Sequence, residues 1–341
     1  MNSRVTNIAL KTPKVSIGMP VFNGAKFIDE ALQSFLVQTF EDFELIISDN
    51  ASSDSTESIC REYARRDKRI KYYRQETNKG AIWNFNHVFK LARGKYFKWA
   101  AYDDICKPTF LARCIDVLDK DPSVLWCHTK SGKTDASGKE ILRWKIGQNN
   151  ELPRNNYNSP SPHKRFKGVL LGTNWCVDSY AVFRVDGLKS TRMLLPCYGA
   201  EKVLLGEMSL RGCYKEVPEK LFYQRHHLDA ASSLNSSVKQ QRYMNPKNTN
   251  HFAFTRFKLL FGHVISIIRT DLTTAEKILC FFVIFQYLLQ FKKWRKIIIK
   301  TIFGSGLAED LSILHTTCKD SQEWNSFTLQ KSKQEPITIK T

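Results

Sequence analysis

The chain of 341 residues has a formal net charge of +19 and an apolar fraction of 42%. Its length allows one large domain with an appendage or two smaller domains, and its composition excludes collagen-like, low-complexity and wholly disordered proteins. A positive charge of this size favours polyanionic partners, which include nucleic acid, an anionic membrane surface and phosphorylated substrates.

The cysteines and the N-terminal residues bear on the cellular compartment. The nine cysteines are scattered along the chain and form no CxxC pair. This pattern is typical of reduced thiols rather than of a disulfide framework or a zinc site. Residues 1–13 are polar and contain no apolar signal core. We therefore expect a cytoplasmic protein in which residues 1–13 form an N-terminal tail.

Strands and helices alternate in the first hundred residues. Short apolar runs predict strands at residues 15–19, 43–48 and 96–101, and another strand is predicted at residues 70–74. Apolar residues at helical spacing predict a helix after each of the first three strands. Asp54 and Glu57 have the spacing of a capping box at the start of the second helix. This alternation predicts a mainly parallel sheet with helices on both faces.

Beyond residue 104 the pattern is less regular. We predict a helix that ends near Asp119, a hairpin around residues 135–139 and a helix that begins at Tyr198-Gly-Ala-Glu201. Further strands are predicted at residues 124–129, 178–185, 214–217 and 221–223. Residues 229–250 are polar, and we interpret them as a linker.

Polar residues follow each of the first four predicted strands. They are Pro20–Asn23, Asp49–Asn50, Asn78–Gly80 and Asp103–Asp104. In open α/β sheets the ligand lies beyond the carboxyl ends of the strands. Four polar clusters at such positions therefore predict one binding site.

The adjacent carboxylates of Asp103 and Asp104 predict a metal site. Two such groups at the mouth of a buried strand repel each other and resist desolvation. A divalent cation relieves both effects, because Mg²⁺ takes one or two protein carboxylates and completes its shell with waters and substrate phosphates. The alternative is that Asp104 caps a helix that begins near Pro108.

The C-terminal part of the chain differs in kind. Residues 278–291 are almost continuously apolar, and they are followed by Lys292-Lys-Trp-Arg-Lys296 and by Ile297–Ile299. A span across a bilayer needs about 20 apolar residues, so this run favours a helix that lies in an anionic membrane interface through residues 278–299. Packing on the main domain and a tilted span are the alternatives.

Four motifs together resemble those of the family-2 glycosyltransferases of the GT-A fold. They are VSIGMPVFN at 15–23, ISDNASSDST at 47–56, Asn78-Lys-Gly80 and the Asp103-Asp104 stretch. The resemblance covers about residues 14–233. It implies an α/β, Rossmann-like GT-A domain at residues 14–235 with a mostly parallel central sheet. From their composition, we expect residues 236–341 to be a linker followed by a helical, membrane-associated C-terminal region.

The resemblance also implies an activity. Family members move a sugar from a nucleotide-diphosphate sugar to an acceptor hydroxyl with inversion. The donor would be a UDP-sugar, as is common in the family, and the cofactor would be Mn²⁺ or Mg²⁺. The acceptor would be a glycan or a lipid-linked sugar in cell-surface polysaccharide or glycolipid synthesis.

Site residues are carried over position by position. Pro20, Phe22 and Asn23 would lie by the base, and Asp49 would accept a hydrogen bond from a uracil ring. Asp103 matches the last aspartate of the family's metal motif, while Ala101 replaces the first, which leaves Asp103 and Asp104 as ligands. Glu201 would be the general base, with Asp178 as the next candidate. The implied donor-binding residues are Pro20, Phe22, Asn23, Asp49, Asn78, Gly80, Asp103, Arg225 and His227.

Three rival hypotheses remain open. A nucleic-acid-binding module would explain the charge of +19, but the basic residues form no recognition helix or aromatic RNA motif, so we expect no nucleic-acid partner. A sugar-phosphate nucleotidyltransferase normally needs a Gly-rich basic loop after the first strand, and Asn23-Gly-Ala-Lys26 fits that poorly. A catalytically impaired relative that only binds nucleotide sugars would explain Ala101.

Overall fold

The computed structural model describes residues 12–142, 156–172, 177–234, 237–247 and 255–290. The strands are β1 (Val15–Val21), β2 (Phe43–Asp49), β3 (Ile70–Arg74), β4 (Tyr96–Trp99), β5 (Ile105–Cys106), β6 (Val124–Thr134), β7 (Val182–Arg184) and β8 (Cys213–Arg225). The α-helices are α1 (Ile28–Leu36), α2 (Thr56–Arg66), α3 (Ala81–Leu91), α4 (Phe110–Lys120), α5 (Pro162–Lys167), α6 (Val185–Lys189), α7 (Ala200–Arg211), α8 (Ser237–Met244), α9 (Thr255–Arg269) and α10 (Thr274–Leu288).

One sheet organises these elements, with the strand order β3-β2-β1-β4-β7-β6-β8-β5. The first four strands pair in parallel, as the alternation of strands and helices predicts. The chain then reverses, so that β7 runs antiparallel to both β4 and β6. Strand β8 is parallel to β6, and β5 is antiparallel to β8. The α/β fold with a helix-flanked sheet is confirmed, and its second half is mixed.

The core lies on both faces of the sheet because the central strands are buried on both sides. Strands β1 and β2 are buried along their whole length. Alternate residues of β1, such as Ile17 and Met19, pack with α1, α2 and α4 on one face. Phe97 and Trp99 of β4 pack with α3 and α7 on the other. Continuous apolar runs of this kind are expected in strands that are covered by helices on both faces of the sheet.

Several predicted boundaries are wrong for local reasons. Residues 178–185 are not one strand, since a 3₁₀ turn at Val177–Tyr180 precedes β7. The two strands predicted at 214–217 and 221–223 are the single strand β8. Its register against β6 skips from Val217 to Lys220, and the bulge takes up Pro218, which has no N–H to donate.

The start of α2 also differs from the prediction. Asp54 accepts hydrogen bonds from the backbone N–H and the hydroxyl of Thr56, at 3.0 and 2.5 Å. Thr56 is the first helical residue, so Asp54 closes a tight turn before the helix and forms no capping box with Glu57.

The linker predicted at residues 229–250 is wrong in its described part. A 3₁₀ turn (Ala231–Ser233) and helix α8 occupy much of it, and α8 packs on α3. The described chain up to Tyr287 forms one compact unit, while the predicted domain ranges stay a prediction. Residues 278–288 of the predicted interface helix lie in α10. Residues 1–11 and 292–299 lie outside the described residues.

Candidate active site

A cleft of about 360 Å³ opens beyond the carboxyl ends of β1 and β4. The start of α3, the start of α7, the end of β8 and the end of α8 complete its walls. The polar and charged groups that line it include Asp103, Asp104, Glu201, Arg225, Asp229, Tyr102, Tyr180, Tyr198 and Tyr243. The cleft therefore combines several carboxylates with aromatic side chains.

Asp103 and Asp104 are held in different ways. One oxygen of Asp104 accepts the backbone N–H of Arg225 at 2.9 Å, and its side chain is buried. Burial, and next the neighbouring Asp103, raise the pKa of the Asp104 carboxyl. Within the part of the chain that the structure describes, the second oxygen of each carboxylate accepts no hydrogen bond. The alternative that Asp104 caps a helix is wrong, since β5 intervenes before α4 begins at Phe110.

His227 and Arg225 lie directly behind this pair. His227 Nε2 and Asp103 Oδ2 are 2.9 Å apart, and the imidazole packs on the ring of Phe27. Arg225 donates from Nε to the carbonyl of Asp103 at 3.0 Å and from Nη1 to that of Ala136 at 3.1 Å. Its Nη2 pairs with Glu30. Each nitrogen of this guanidinium thus has a protein partner.

Lys98 of β4 places a buried amino group near the carboxyl of Asp104. Its side chain is fully buried, and its Nζ donates to the carbonyl of Tyr180 at 2.6 Å. The Nζ also lies 4.7 Å from the centre of the Phe110 ring. Burial lowers the pKa of Lys98, while neighbouring groups that include Asp104 oppose this shift. Sequence reasoning missed this residue, although a lysine inside an apolar strand is itself a signal.

Glu201 lines the cleft from the first turn of α7. Gly199 precedes that helix with φ of +79°, a left-handed conformation that suits glycine. Burial raises the pKa of Glu201, while the backbone N–H at the helix start lowers it. The Glu201 side chain is half-buried in the wall of the cleft. Asp178, the second candidate base, is buried and accepts the hydroxyl of Tyr214 at 3.2 Å.

Three strand-end loops, formed by residues 22–23, 49–50 and 78–80, lie beside these groups. Asp49 is fully buried, and its Oδ2 accepts Tyr72 Oη at 2.7 Å and Arg74 Nη1 at 2.9 Å. Its Oδ1 accepts the N–H of Ser52 at 2.8 Å. Both oxygens of the predicted base-binding carboxylate are thus already hydrogen-bonded inside the protein.

The other strand-end loops are tied to each other. Asn50 Nδ2 donates to Asn78 Oδ1 at 2.8 Å, and Asn50 Oδ1 accepts the N–H of Lys79 at 2.9 Å. Asn23 Oδ1 accepts the N–H of Ser53 at 2.9 Å, while Phe22 is 42% exposed. Gly80 has φ of +88°, and a Cβ on it would lie 2.2 Å from the carbonyl oxygen of Met244. Helix α8 therefore rests on the third loop.

The structure brings together only part of the predicted site. Pro20, Asp103, Asp104, Glu201 and Arg225 line the cleft, with His227 against Asp103. The residues that do not line it are Phe22, Asn23, Asp49, Asn78 and Gly80.

Sequence reasoning also missed two cleft residues in the segment that was predicted to be a linker. Tyr243 of α8 lines the cleft close to Tyr102, Asp103 and Glu201, although its side chain is 39% exposed. Asp229 is an exposed carboxylate at the cleft. Tyr243 and Asp229 both lie in residues 229–250, which were predicted to be a linker from their composition. The one sequence feature that could have indicated a cleft residue there is the tyrosine within a polar segment.

The carboxylate pair fits a hard divalent cation. Among the residues that the structure describes, no group of three or more His, Cys, Asp or Glu side chains is arranged to hold a metal. Asp103 and Asp104 supply hard oxygen ligands, and burial next to each other leaves their charge poorly compensated. This donor set suits an ion that completes its shell with water and phosphate oxygens.

Comparison with known proteins identifies the family. The family model described as glycosyl transferase family 2 matches residues 16–190, about half of the chain. The chain belongs to this family. A Haemophilus influenzae glycosyltransferase of uncharacterized function is 26% identical over 243 residues, which cover 70% of this chain and 73% of that protein. A Rickettsia typhi relative is 36% identical over 109 residues, which cover 32% of this chain and 33% of that protein.

Solved structures show the same fold as this family-2 member. The Staphylococcus aureus TarS fragment 1–349 in complex with UDP-GlcNAc has a TM-score of 0.56 at 17% identity and covers 77% of this chain and 69% of that one. A mannosyltransferase from Pyrobaculum calidifontis, in complex with GDP-Man and Mn²⁺, has a TM-score of 0.50 at 13% identity and covers 95% of this chain and 85% of that one. At these identities the likeness shows the fold alone.

Proposed function

We propose that this glycosyltransferase moves a sugar from a nucleotide-diphosphate sugar to an acceptor hydroxyl with inversion at the anomeric carbon. The observation that carries the proposal is the meeting of Asp103, Asp104 and Glu201 in one cleft at the strand ends. One group of carboxylates suits the cation that accompanies a diphosphate, and a separate carboxylate suits proton transfer. This division of roles is the one that a single displacement requires.

The donor end of the cleft would hold a divalent ion, Mn²⁺ or Mg²⁺, on Asp103 and Asp104. Such an ion neutralises the negative charge that grows on the diphosphate leaving group. His227 and Arg225 would fix Asp103 through the contacts at 2.9 and 3.0 Å. They would therefore act on the diphosphate through the carboxylate pair, since the Arg225 guanidinium is already engaged elsewhere.

The donor would be a UDP-sugar bound beside Pro20 and the strand-end loops. Structural neighbours that bind UDP-GlcNAc and GDP-Man support a nucleotide sugar but differ in their base. Asp49 would shape the loop that receives the base, since Tyr72 and Arg74 already occupy its Oδ2. Asn78 and Gly80 would likewise hold the shape of the loop formed by residues 78–80.

Glu201 would act as the general base. It would accept the proton of the acceptor hydroxyl while that oxygen attacks the anomeric carbon opposite the leaving diphosphate. Burial raises its pKa, which makes the carboxylate a stronger proton acceptor, while the N-terminus of α7 favours its ionised form. Tyr198 and Tyr243 lie near Glu201 and would form the acceptor side of the cleft.

The acceptor would be a glycan or a lipid-linked sugar. A chondroitin synthase of Escherichia coli is 32% identical over 145 residues, which cover 42% of this chain and 21% of that enzyme. This relative supports a role in cell-surface polysaccharide or glycolipid synthesis. The protein would work in the cytoplasm, in peripheral contact with an anionic membrane through residues 278–299. In the described residues, no helix is long and apolar enough to cross a membrane.

The test is a panel of UDP-, GDP- and dTDP-sugars, each with and without Mn²⁺. A ligand that binds the folded state raises the melting temperature by mass action, so one donor should give a shift that grows when Mn²⁺ is present. Release of free nucleotide diphosphate from that donor would then show turnover. Binding without any turnover would favour the impaired relative that Ala101 suggests. No shift with any donor would contradict the proposed function.

A further inference from the structure

The outward faces of α9 and α10 are apolar. On α9 the exposed apolar side chains are Phe257, Phe261, Ile265 and Ile268, and on α10 they are Ile278, Leu279, Phe281, Phe282 and Phe285. Each set recurs at spacings of three and four residues, so each forms a stripe along one side of its helix. We call the two stripes together the hairpin face.

Each helix also has a second face, which is buried against the domain. On α9, His263, Ser266 and Ile267 are buried, and on α10, Cys280 and Val283 are buried. Helices that bury one apolar side and expose another have more apolar surface than the described part of the chain covers. Exposed apolar patches of several hundred Å² mark interaction sites rather than ordinary surface.

The two helices form one antiparallel hairpin. Lys277 Nζ, near the start of α10, lies 3.4 Å from the carbonyl of Ile268 at the end of α9. The Arg256 side chain at the start of α9 lies beside that of Tyr287 near the end of α10. These two contacts join the helices at both of their ends, and both stripes lie in the same compact unit.

The hairpin is fixed to the helix that carries Glu201. Arg192 donates to the carbonyl of Gly262 at 2.6 Å and to Ser266 Oγ at 2.7 Å, and it pairs with Glu207 of α7 at 3.3 Å. A Cβ on Gly199, two residues before Glu201, would lie 3.5 Å from Leu259 of α9. Whatever covers the hairpin face therefore lies one helix away from the candidate base.

The charges near the two stripes indicate what kind of partner covers the hairpin face. Residues 255–289 contain four basic residues (Arg256, Lys258, Arg269 and Lys277) and two acidic ones (Asp271 and Glu276), a net charge of +2. Glu276 is occupied by the N–H and hydroxyl of Thr273, each at 2.9 Å. In sequence, residues 292–300 add five basic residues and no acidic one. A second copy of a chain with a charge of +19 would be repelled, whereas an anionic lipid surface would be attracted.

We propose that the hairpin face docks on an anionic lipid bilayer, with the apolar stripes in the acyl boundary and the basic residues at the headgroups. Each helix has 15 residues, too few to cross the hydrocarbon core, so the hairpin lies in the interface. The proposal rests on the membrane contact proposed above and names its surface, to which α9 contributes as much as α10. The docked enzyme holds its acceptor side near the bilayer, where a lipid-linked acceptor lies.

The experiment is co-sedimentation of the full chain with vesicles of phosphatidylcholine alone and of one part phosphatidylglycerol to two parts phosphatidylcholine. Wild-type protein is expected to bind the anionic vesicles and not the neutral ones. The double variant F261S/F282S should lose about tenfold or more in partitioning, because each phenylalanine contributes apolar area to the interface. Its matched control is V37S/L142S, since Val37 and Leu142 are 59% and 83% exposed, against 61% and 57% for Phe261 and Phe282.

Two further measurements keep the outcomes distinct. The variant K292Q/K293Q/R295Q/K296Q removes charge outside the hairpin. If it alone loses binding while F261S/F282S binds as wild type does, membrane contact stands and the hairpin proposal is overturned. Sedimentation velocity without vesicles is the second measurement. A wild-type dimer that F261S/F282S converts to monomer, without vesicle binding by either, would overturn the proposal in favour of self-association.

The donor-binding shift is measured on the same proteins. It should be unchanged in F261S/F282S, because Phe261 and Phe282 do not line the cleft. Loss of vesicle binding with intact donor binding separates docking from the transfer reaction. Absence of donor binding in all proteins would contradict the proposed function and leave the docking result to be judged on its own.

Discussion

The strand-end loops and the carboxylate end of the cleft are built in opposite ways. In the loops, the oxygens of Asp49, Asn50 and Asn78 accept hydrogen bonds from the protein itself. At the carboxylate end, Asp103 and Asp104 each keep one oxygen that no group in the described chain satisfies, and burial raises the pKa of Asp104 and Glu201. The polar groups of the loops therefore stabilise the shape of the loops, whereas the carboxylates keep oxygens available for a ligand.

Replacement of Glu201 by Gln should have the largest effect at the carboxylate end. The amide keeps the shape of the side chain but takes no proton, and removal of a general base costs about 10²- to 10⁴-fold in rate. Donor affinity should hardly change. The measurement is transfer rate beside donor affinity, with E219Q as the control because Glu219 is an exposed surface carboxylate. Turnover within a few-fold of wild type would remove Glu201 as the base.

The same residue gives a pH dependence with a defined sign. A base works only when ionised, and the folded protein raises the pKa of Glu201 above its ordinary value of 4.5. Activity should therefore fall as the pH drops through a value above 4.5, and this acidic limb should be absent from the residual activity of E201Q. A limb that persists unchanged in the variant would belong to another group.

Replacement of Asp103 by Asn should have the second largest effect. It removes one charge from the pair and weakens the contact with His227. Loss of a charge-assisted interaction of about 1.5–3 kcal/mol corresponds to roughly 10- to 100-fold weaker Mn²⁺-dependent donor binding. Titration of donor at fixed Mn²⁺ measures this, with D116N as the control on the exposed side of α4. Equal affinity in D103N and wild type would exclude Asp103 as a metal ligand.

Replacement of Gly80 by Ala tests how the loops hold their shape. The residue has φ of +88°, and a Cβ would lie 2.2 Å from Met244 O, so the loop or α8 must move. The free energy of unfolding should fall by about 1–3 kcal/mol, and donor affinity should fall with it. Urea unfolding measures the first quantity. The control is G172A, because a Cβ at Gly172 meets nothing within 4 Å.

Replacement of Asp49 by Asn should have the smallest effect of the series. The ion pair with Arg74 is lost, but an amide oxygen still accepts the N–H of Ser52, so stability should fall by about 1–2 kcal/mol. Donor affinity should fall only slightly, to the extent that the loop at residues 49–50 becomes less ordered. A large loss of UDP-sugar affinity without loss of stability would show instead that Asp49 contacts the base. D67N, which breaks the partly exposed pair with Arg69, is the matched control.

Local pattern predicted the parallel half of the fold and the position of the carboxylate pair. Strands β1, β2 and β4 are buried and alternate with helices, so their parallel pairing follows from a repeating unit. The course of the chain beyond Asp104 could not be predicted in this way. Strand β7 has three residues, and its pairing with β4 and β6 depends on contacts made across the sheet.

Individual side-chain partners were the least predictable part of the site. Asp49 has the identity that a base-binding acceptor would have, but its partners Tyr72 and Arg74 come from the next strand. A sequence does not show whether a polar group will face a ligand or a neighbour. Tyr243 illustrates the reverse, since a segment of linker-like composition places an aromatic ring in the cleft.

The contacts of Arg225 have a consequence for the way in which the site forms. This residue joins Glu30, the Asp103–Asp104 pair and Ala136, and so links positions separated by up to 195 residues in the sequence. Contacts of such separation form only after the intervening chain has closed its loops, and they slow folding. The carboxylate pair therefore takes its final geometry late, when β8 has been added. A nascent chain that ends before residue 225 would already possess the parallel strands, yet it would lack an ordered reaction centre.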